Sequence, residues 1–375
     1  MFLRASLILF IAVAWADDDV PTLIKTADAS YMRGDYDAAF QSLETAWEQV
    51  QQNTETSDPI RYDILKRLTS VRAAAGQFAE ADAFLQLAIN WREVAVNRND
   101  PQIAEDLVQS ANLCRGMKDY DRALAILQRA MSMHTQAQGM NSSAVADDFA
   151  RMAQIYVDEK KPDDAAHALI TAVDVRTKAT NALHPSLLPS LDRLGEILIT
   201  LADYPKAEET FRHALVIRET MNGKEHPDLL GSIDGLAYSL FGQKKYDEAE
   251  PLYNRLLALW MKSVGGNHPM VAMTLEKIAV FYAAQKRYDE AKAAAEQGNA
   301  IRAHFLAEGL THEATEQLAE EKKDDALTLY RRTLSVLDPP NPVYDQMRAD
   351  TDKIVQTLEP PPAPVKKTAP RKKTN

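Results

Sequence analysis

Eight histidines and a single cysteine are the obvious candidates for metal or nucleophile chemistry in this 375-residue chain. Three of the histidines open the same dipeptide, His184-Pro185, His226-Pro227 and His268-Pro269, at a constant step of 42 residues. A zinc site needs its ligands on one short face, as in H-E-x-x-H. Histidines that recur once per 42-residue block stand a whole structural unit apart and cannot share an ion, and the other five show no ligand spacing. Cys114 falls where equivalent blocks carry Tyr156, Leu198, Leu240 and Tyr282, so it reads as a core residue with a sulfur. There is no glycine-rich phosphate loop, since Gly265-Gly266 lies in a turn between blocks, and no nucleophile elbow that would place a Ser-His-Asp triad. The residues give no catalytic centre, no cofactor site and no metal site, and the chain is read as a non-enzyme.

The 42-residue step is the organising feature. Counting each block from its His-Pro residue as position zero, the series runs back through Ser142, Asp100, Asp58 and Ala16. Position 23 is alanine in all seven blocks: Ala39, Ala81, Ala123, Ala165, Ala207, Ala249 and Ala291. Position 11 is small throughout. Position 27 is large and apolar except at Ala295, and position 30 is small except at Leu256. Small residues let two helices approach, and a large one at the next turn fills the gap. Each block is therefore an antiparallel helix hairpin with a short polar turn such as Gln243-Lys244-Lys245. The opening proline suits a helix's first turn, with Asp or Ser before it able to cap. One hairpin cannot bury its apolar face alone, but a stack of them can.

These residue types and spacings resemble the tetratricopeptide repeat. The 42-residue step, the His-Pro opening and the run YDEAEPLY at Tyr246 to Tyr253 look like its kinesin-light-chain subclass. The resemblance implies an all-α, right-handed superhelical solenoid of about eight antiparallel hairpins, spanning 17–338. A last unit fits only if seven residues are deleted after Gly298, which puts Ala326 at position 23. A capping helix is expected over 341–358.

The resemblance also implies that the first helix of each hairpin lines a concave, ligand-binding surface. Position 9 on that helix reads Lys25, Arg67, Gln109, Arg151, Arg193, Gly235 and Lys277, basic in five of seven blocks. Related repeats often clamp a peptide backbone with paired asparagines at positions 8 and 9. Here those pairs are Lys66-Arg67, Val108-Gln109, Ala150-Arg151, Asp192-Arg193, Asp234-Gly235 and Glu276-Lys277, so recognition led by charge replaces backbone clamping. Asp63 and Asp147, four residues before Arg67 and Arg151, offer intrahelical pairs worth only ~0.2–0.5 kcal/mol. Arg193 and Lys277 have Pro189 and Met273 at that spacing and so lack such partners. Asn112 and Tyr238, at position 12, are secondary contacts.

Charge and termini supply the rest. The net charge of −11 argues against nucleic-acid binding. Without the leader and the tail, the body carries 53 acids and 37 bases, while the tail from Glu359 onward carries one acid and five bases. A basic column in an acidic body steers an acidic ligand. Residues 1–16 read as a cleaved signal peptide: Arg4, an apolar core from Ala5 to Trp15, then an Ala14-Trp15-Ala16 site. The apolar run is about half the ~20 residues that span a bilayer. The mature chain is thus expected to be exported to a periplasm or secreted, with no transmembrane segment. The Pro/Lys-rich tail, 359–375, is expected to be disordered. The function expected is a non-catalytic adaptor that holds an acidic peptide or protein segment in its groove. An attachment protein whose basic tail contacts an anionic polymer or membrane surface is the alternative.

Overall fold

The computed structural model describes residues 19–52 and 58–359. The expected signal peptide, and the tail beyond Glu359, lie outside the described residues. Within them there are sixteen α-helices, two short 3-10 turns and no strand. The chain divides into two compact units at Leu201–Ala202.

The first unit holds α1 (Val20–Met32), α2 (Tyr36–Gln52), α3 (Asp58–Ala74), α4 (Phe78–Ala95), α5 (Pro101–Gly116), α6 (Tyr120–Gln138), α7 (Ser143–Asp158), α8 (Pro162–Ala179) and α9 (Leu188–Thr200). The second holds α10 (Tyr204–Asn222), α11 (Leu230–Gly242), α12 (Tyr246–Val264), α13 (Pro269–Ala284), α14 (Tyr288–Ala319), α15 (Lys323–Val336) and α16 (Asp345–Leu358). Inside each unit every helix packs on the next in sequence.

The repeat pattern is a burial pattern. Alanine at position 23 has no exposed surface in six blocks and reaches 9% only at Ala291. Leu43, Leu85, Leu127, Leu169, Phe211 and Tyr253 at position 27 are all buried. Truncating one of these leucines to alanine removes a plug between two helices that cannot close up, at a cost of about 2–5 kcal/mol. Ala295 supplies no such plug, and Ala279 of the seventh hairpin is only half-buried.

Hairpin turns are short because one cap serves two helices. Position 18 takes a left-handed backbone in every repeat: Gly34, Gly76, Lys118, Lys160, Ala202, Lys244 and Lys286. At Lys118 the amide N–H donates to Arg115 O and the next, Asp119 N–H, donates to Cys114 O, which satisfies the last carbonyls of α5. The Asp119 carboxylate then accepts from Arg122 N–H and starts α6. Asp35 and Asp203 do the same for α2 and α10. At the other end of three repeats, the His-Pro histidines are caps as well. Nδ1 of His184, His226 and His268 accepts from the backbone N–H two residues on, at 3.2 Å in each case.

The eighth unit departs from the hairpin plan. The second helix of repeat seven and the first helix of the shifted unit are one helix, the 32-residue α14. Three helices upstream end at Gly139, Gly223 and Gly265, whose positive φ and extended ψ suit glycine alone. Ala307 occupies that position in the seventh repeat, and Leu310-Thr311 stand where His-Pro would. With neither the stop nor the restart, the helix runs on. Beyond the deletion the pattern resumes: Ala314, Ala326, Tyr330 and Thr333 fill positions 11, 23, 27 and 30, all buried, with Glu321 taking the left-handed turn. Val343, Tyr344 and Met347 pack on Ala300, Ala303 and Ala307, so the start of α16 covers α14. This helix begins at Asp345, a few residues after the sequence reading places it.

Candidate ligand groove

Position 9 falls on the first helix of each hairpin, and its residues do not stand free. Arg67 Nε donates to Asp63 at 2.7 Å, and Arg67 also pairs with Asp28 of the preceding repeat. The Gln109 carbonyl accepts from Lys66, one repeat back. Arg151 pairs with Asp148 at 3.1 Å, not with Asp147, which Arg176 holds instead. Arg193 pairs with Glu196 at 2.9 Å, and Lys277 Nζ donates to both oxygens of Asp234 at 2.6 and 2.8 Å. The expectation that Arg193 and Lys277 lack acidic partners is therefore corrected. The partners come from three residues ahead and from the previous repeat, two places that a four-residue backward search does not reach. Lys25 is exposed and makes no ion pair among the described residues. Asn112 is exposed on α5, and Tyr238 is 40% exposed on α11.

Beneath this surface run buried polar groups at position 6: Asp106, Asp148, Ser190, Ser232 and Thr274. Asp106, fully buried, accepts from Tyr62 Oη at 2.6 Å and from Lys66 Nζ at 2.7 Å. Burial, reinforced by that carboxylate, raises the Tyr62 phenol above its ordinary range. Asp148 accepts from His134 Nδ1 at 2.6 Å as well as from Arg151. Burial pushes its carboxyl upward, against the pull of His134 and then Arg151. These acids fix the groove's lysine and arginine side chains. Sequence reading missed them because an acid at position 6 occurs in only two blocks and looks like helix surface.

Two open clefts lie on the first-helix face of the first unit. One, of about 460 Å³, is lined by Val157, Lys160, Pro162, Arg193, Glu196 and Ile197. The other, of about 350 Å³, has Tyr31, Leu43, Asp63, Lys66, Arg67 and Val71 on its walls. Each pairs an apolar floor with a position-9 arginine.

The second unit offers a different surface. Gly235 interrupts the basic column because the Phe211 ring sits where its side chain would be: an added Cβ meets the ring at 2.5 Å. Tyr204, Tyr238, Phe241, Tyr246 and Phe281 form a chain of ring contacts with centroids 5.8–6.3 Å apart. Cys114 is fully buried, and burial together with Asp82 pushes its thiol up to about 11, which leaves it inert at neutral pH. Among the described residues no group of histidine, cysteine, aspartate and glutamate is arranged to hold a metal, and no helix is long and apolar enough to cross a membrane.

Residues 143–220 and 229–303 match the model of the tetratricopeptide repeat family. These two segments are tetratricopeptide repeats. Such arrays are protein-binding scaffolds. Among solved structures, RapI in its apo form is 13% identical, with a TM-score of 0.55, over 84% of this chain and 85% of that one. A STAND protein of Pyrococcus horikoshii with a tetratricopeptide repeat sensor is 14% identical, TM-score 0.52, over 74% of this chain and 41% of that one. A kinesin-light-chain-like repeat protein of Podospora anserina is 21% identical, TM-score 0.47, over 55% of this chain and 97% of that one. These likenesses are likenesses of fold. No curated protein matches.

Proposed function

We propose that this repeat protein is a non-catalytic adaptor that captures an acidic peptide or protein segment on the first-helix face of its first unit. The observation that supports it is the pair of clefts, each with an apolar floor and a position-9 arginine, Arg67 in one and Arg193 in the other. The carboxylates already on these arginines do not oppose the reading. Half-exposed pairs of this kind are worth ~0–1 kcal/mol each, so a ligand carboxylate displaces Glu196 from Arg193, or Asp63 and Asp28 from Arg67, at little cost. Binding of this type is moderate in strength and falls with salt. Export of the chain, with removal of residues 1–16, belongs to the same proposal and rests on the leader-like composition of those residues.

The test is direct titration of a fluorescein-labelled, glutamate-rich decapeptide into the full chain. Reversing both arginines, Arg67→Glu with Arg193→Glu, is expected to weaken binding at least ~10-fold at low salt. Equal affinity for the wild type and the doubly reversed chain overturns the groove.

A further inference from the structure

Position 34, near the end of each second helix, is arginine in four repeats: Arg92, Arg176, Arg218 and Arg302. In the third repeat it is His134. Its geometry has a parallel in the second unit, where Arg218 reaches Ser232, position 6 of the repeat that follows. His134 likewise reaches position 6 of its following repeat, and finds there the fully buried carboxylate of Asp148. A permanently charged guanidinium at this junction has been exchanged for an imidazole, a group that can exist with or without charge.

The groups that face the imidazole are few. On its Nδ1 side is Asp148 from α7, and Asp148 Oδ1 in turn holds Arg151 Nη1 at 3.1 Å. On its Nε2 side is Glu105 from α5, with its carboxylate 3.7 Å away. Asp147, adjacent on α7, is committed to Arg176. His134 itself is only 6% exposed, but Glu105 and a small cleft bordered by Gln102, Met133 and Gln138 give Nε2 a route to protons.

We infer that His134 is a proton-operated regulator of the ligand groove, acting through Asp148 on Arg151. With the ring neutral, its Nδ1–H donates to Asp148, and the full negative charge of that buried carboxylate holds Arg151. When Nε2 takes up a proton, it faces Glu105, and Asp148 then has a second cation. Its hold on Arg151 weakens, and the guanidinium, 38% exposed on the groove face, turns outward to an acidic ligand. Acidification therefore strengthens capture. By reciprocity, a bound acidic ligand that draws Arg151 away leaves Asp148 to the ring and favours its proton. The inference rests on the proposed groove for its ligand, but the coupling of His134 to Arg151 exists without one.

Two measurements separate these levels. Affinity for the glutamate-rich decapeptide is measured at about pH 8 and about pH 6, across the range in which imidazoles change charge. The wild type is expected to bind ~3–10-fold more tightly at the lower pH, beyond the change shown by His134→Arg. That variant carries the residue of four equivalent positions and retains the other seven histidines as background. Its affinity is expected to stay near the wild type's low-pH value. An identical pH dependence in the two chains overturns the regulator. If the wild type ignores the peptide at every pH, the groove reading fails, and the ligand-free chain decides the coupling. In that case the His134 ring resonance is followed by NMR against pH in the wild type and in Arg151→Ala. A midpoint displaced to higher pH in the variant supports the coupling, and an unmoved midpoint overturns it.

Discussion

Glu208, at position 24 of the fifth repeat, accepts a hydrogen bond at 2.8 Å from Lys245, the residue just before the second helix of the sixth. Arg212 donates to the same carboxylate at 2.5 Å and Gln243 at 2.7 Å, so one nearly buried acid gathers three donors. Glu250 takes Arg287 of the seventh repeat in the same way, and Asp82 of the second repeat takes Arg122 of the third, on α6. In these three repeats the hairpin is clasped to the next by position 24 as well as by the core.

This clasp sets an acid limit on stability. Burial acts to raise the Glu208 carboxyl, but Lys245, Arg212 and Gln243 outweigh it and hold it down to about 2. A carboxyl lowered on folding contributes stability that is complete above its unfolded value near 4.5 and is lost as pH falls towards 2. Half-exposed partners reduce the contribution to about 2 kcal/mol. Urea denaturation of the wild type and Glu208→Gln should therefore show the variant less stable by about that amount at neutral pH, with the gap closing below about pH 4. A gap that persists at pH 2 assigns the loss to packing rather than to charge.

Glycine plays opposite parts at two places. At Gly223 the backbone, φ 80° and ψ 173°, is nearly closed to other residues, and Gly223→Ala is expected to cost about 1–3 kcal/mol. Gly309 lies inside α14 with open space around the missing side chain. There, Gly309→Ala should stabilise by about 0.5–1 kcal/mol. Thermal unfolding followed by circular dichroism distinguishes the two, and a loss at both sites contradicts the fusion of helices described for α14.

Left-handed turns invite a third substitution. Lys244, with φ 62°, holds a conformation that glycine fills at Gly34 and Gly76 without the Cβ penalty of about 1 kcal/mol. Lys244→Gly should raise the unfolding midpoint slightly, by a net gain of at most about 0.5 kcal/mol once the extra freedom of the unfolded chain is deducted. A lowered midpoint, with Lys244 exposed and unpaired by any described partner, would show that its side chain stabilises the turn in another way.

How much of this was readable beforehand differs between levels. Position 23 announced itself, because one residue type repeated seven times can only be a contact with no room to vary. The repeat family, the helix pairs and the inert Cys114 followed from that. The chemistry of the groove did not, because it depends on neighbours about 40 residues away. Asp234 meets Lys277, Asp28 meets Arg67, and Asp106 meets Lys66, yet none of these spacings is helical. Searching at the repeat length, one block back or ahead and up to three places to either side, would have found them. The fused α14 was half visible: the seven-residue deletion was plain, but its consequence required noticing that Ala307 replaces a glycine stop.

Gly235 shows the same dependence between distant positions, and it makes the sharpest packing test. Phe211 is the largest residue to appear at position 27 in the first five repeats, where Leu43, Leu85, Leu127 and Leu169 precede it. Its ring extends over α11 and removes the space that a position-9 side chain needs. Gly235→Ala should therefore destabilise by about 1–3 kcal/mol through overpacking, although alanine is the better helix former. Phe211→Leu alone opens a gap and also destabilises. Combined, the two changes restore the leucine-and-side-chain pairing of the earlier repeats, so the double variant should be more stable than the sum of its parts by at least ~0.5 kcal/mol. Additive losses in that cycle would mean that Gly235 answers to something other than the ring of Phe211.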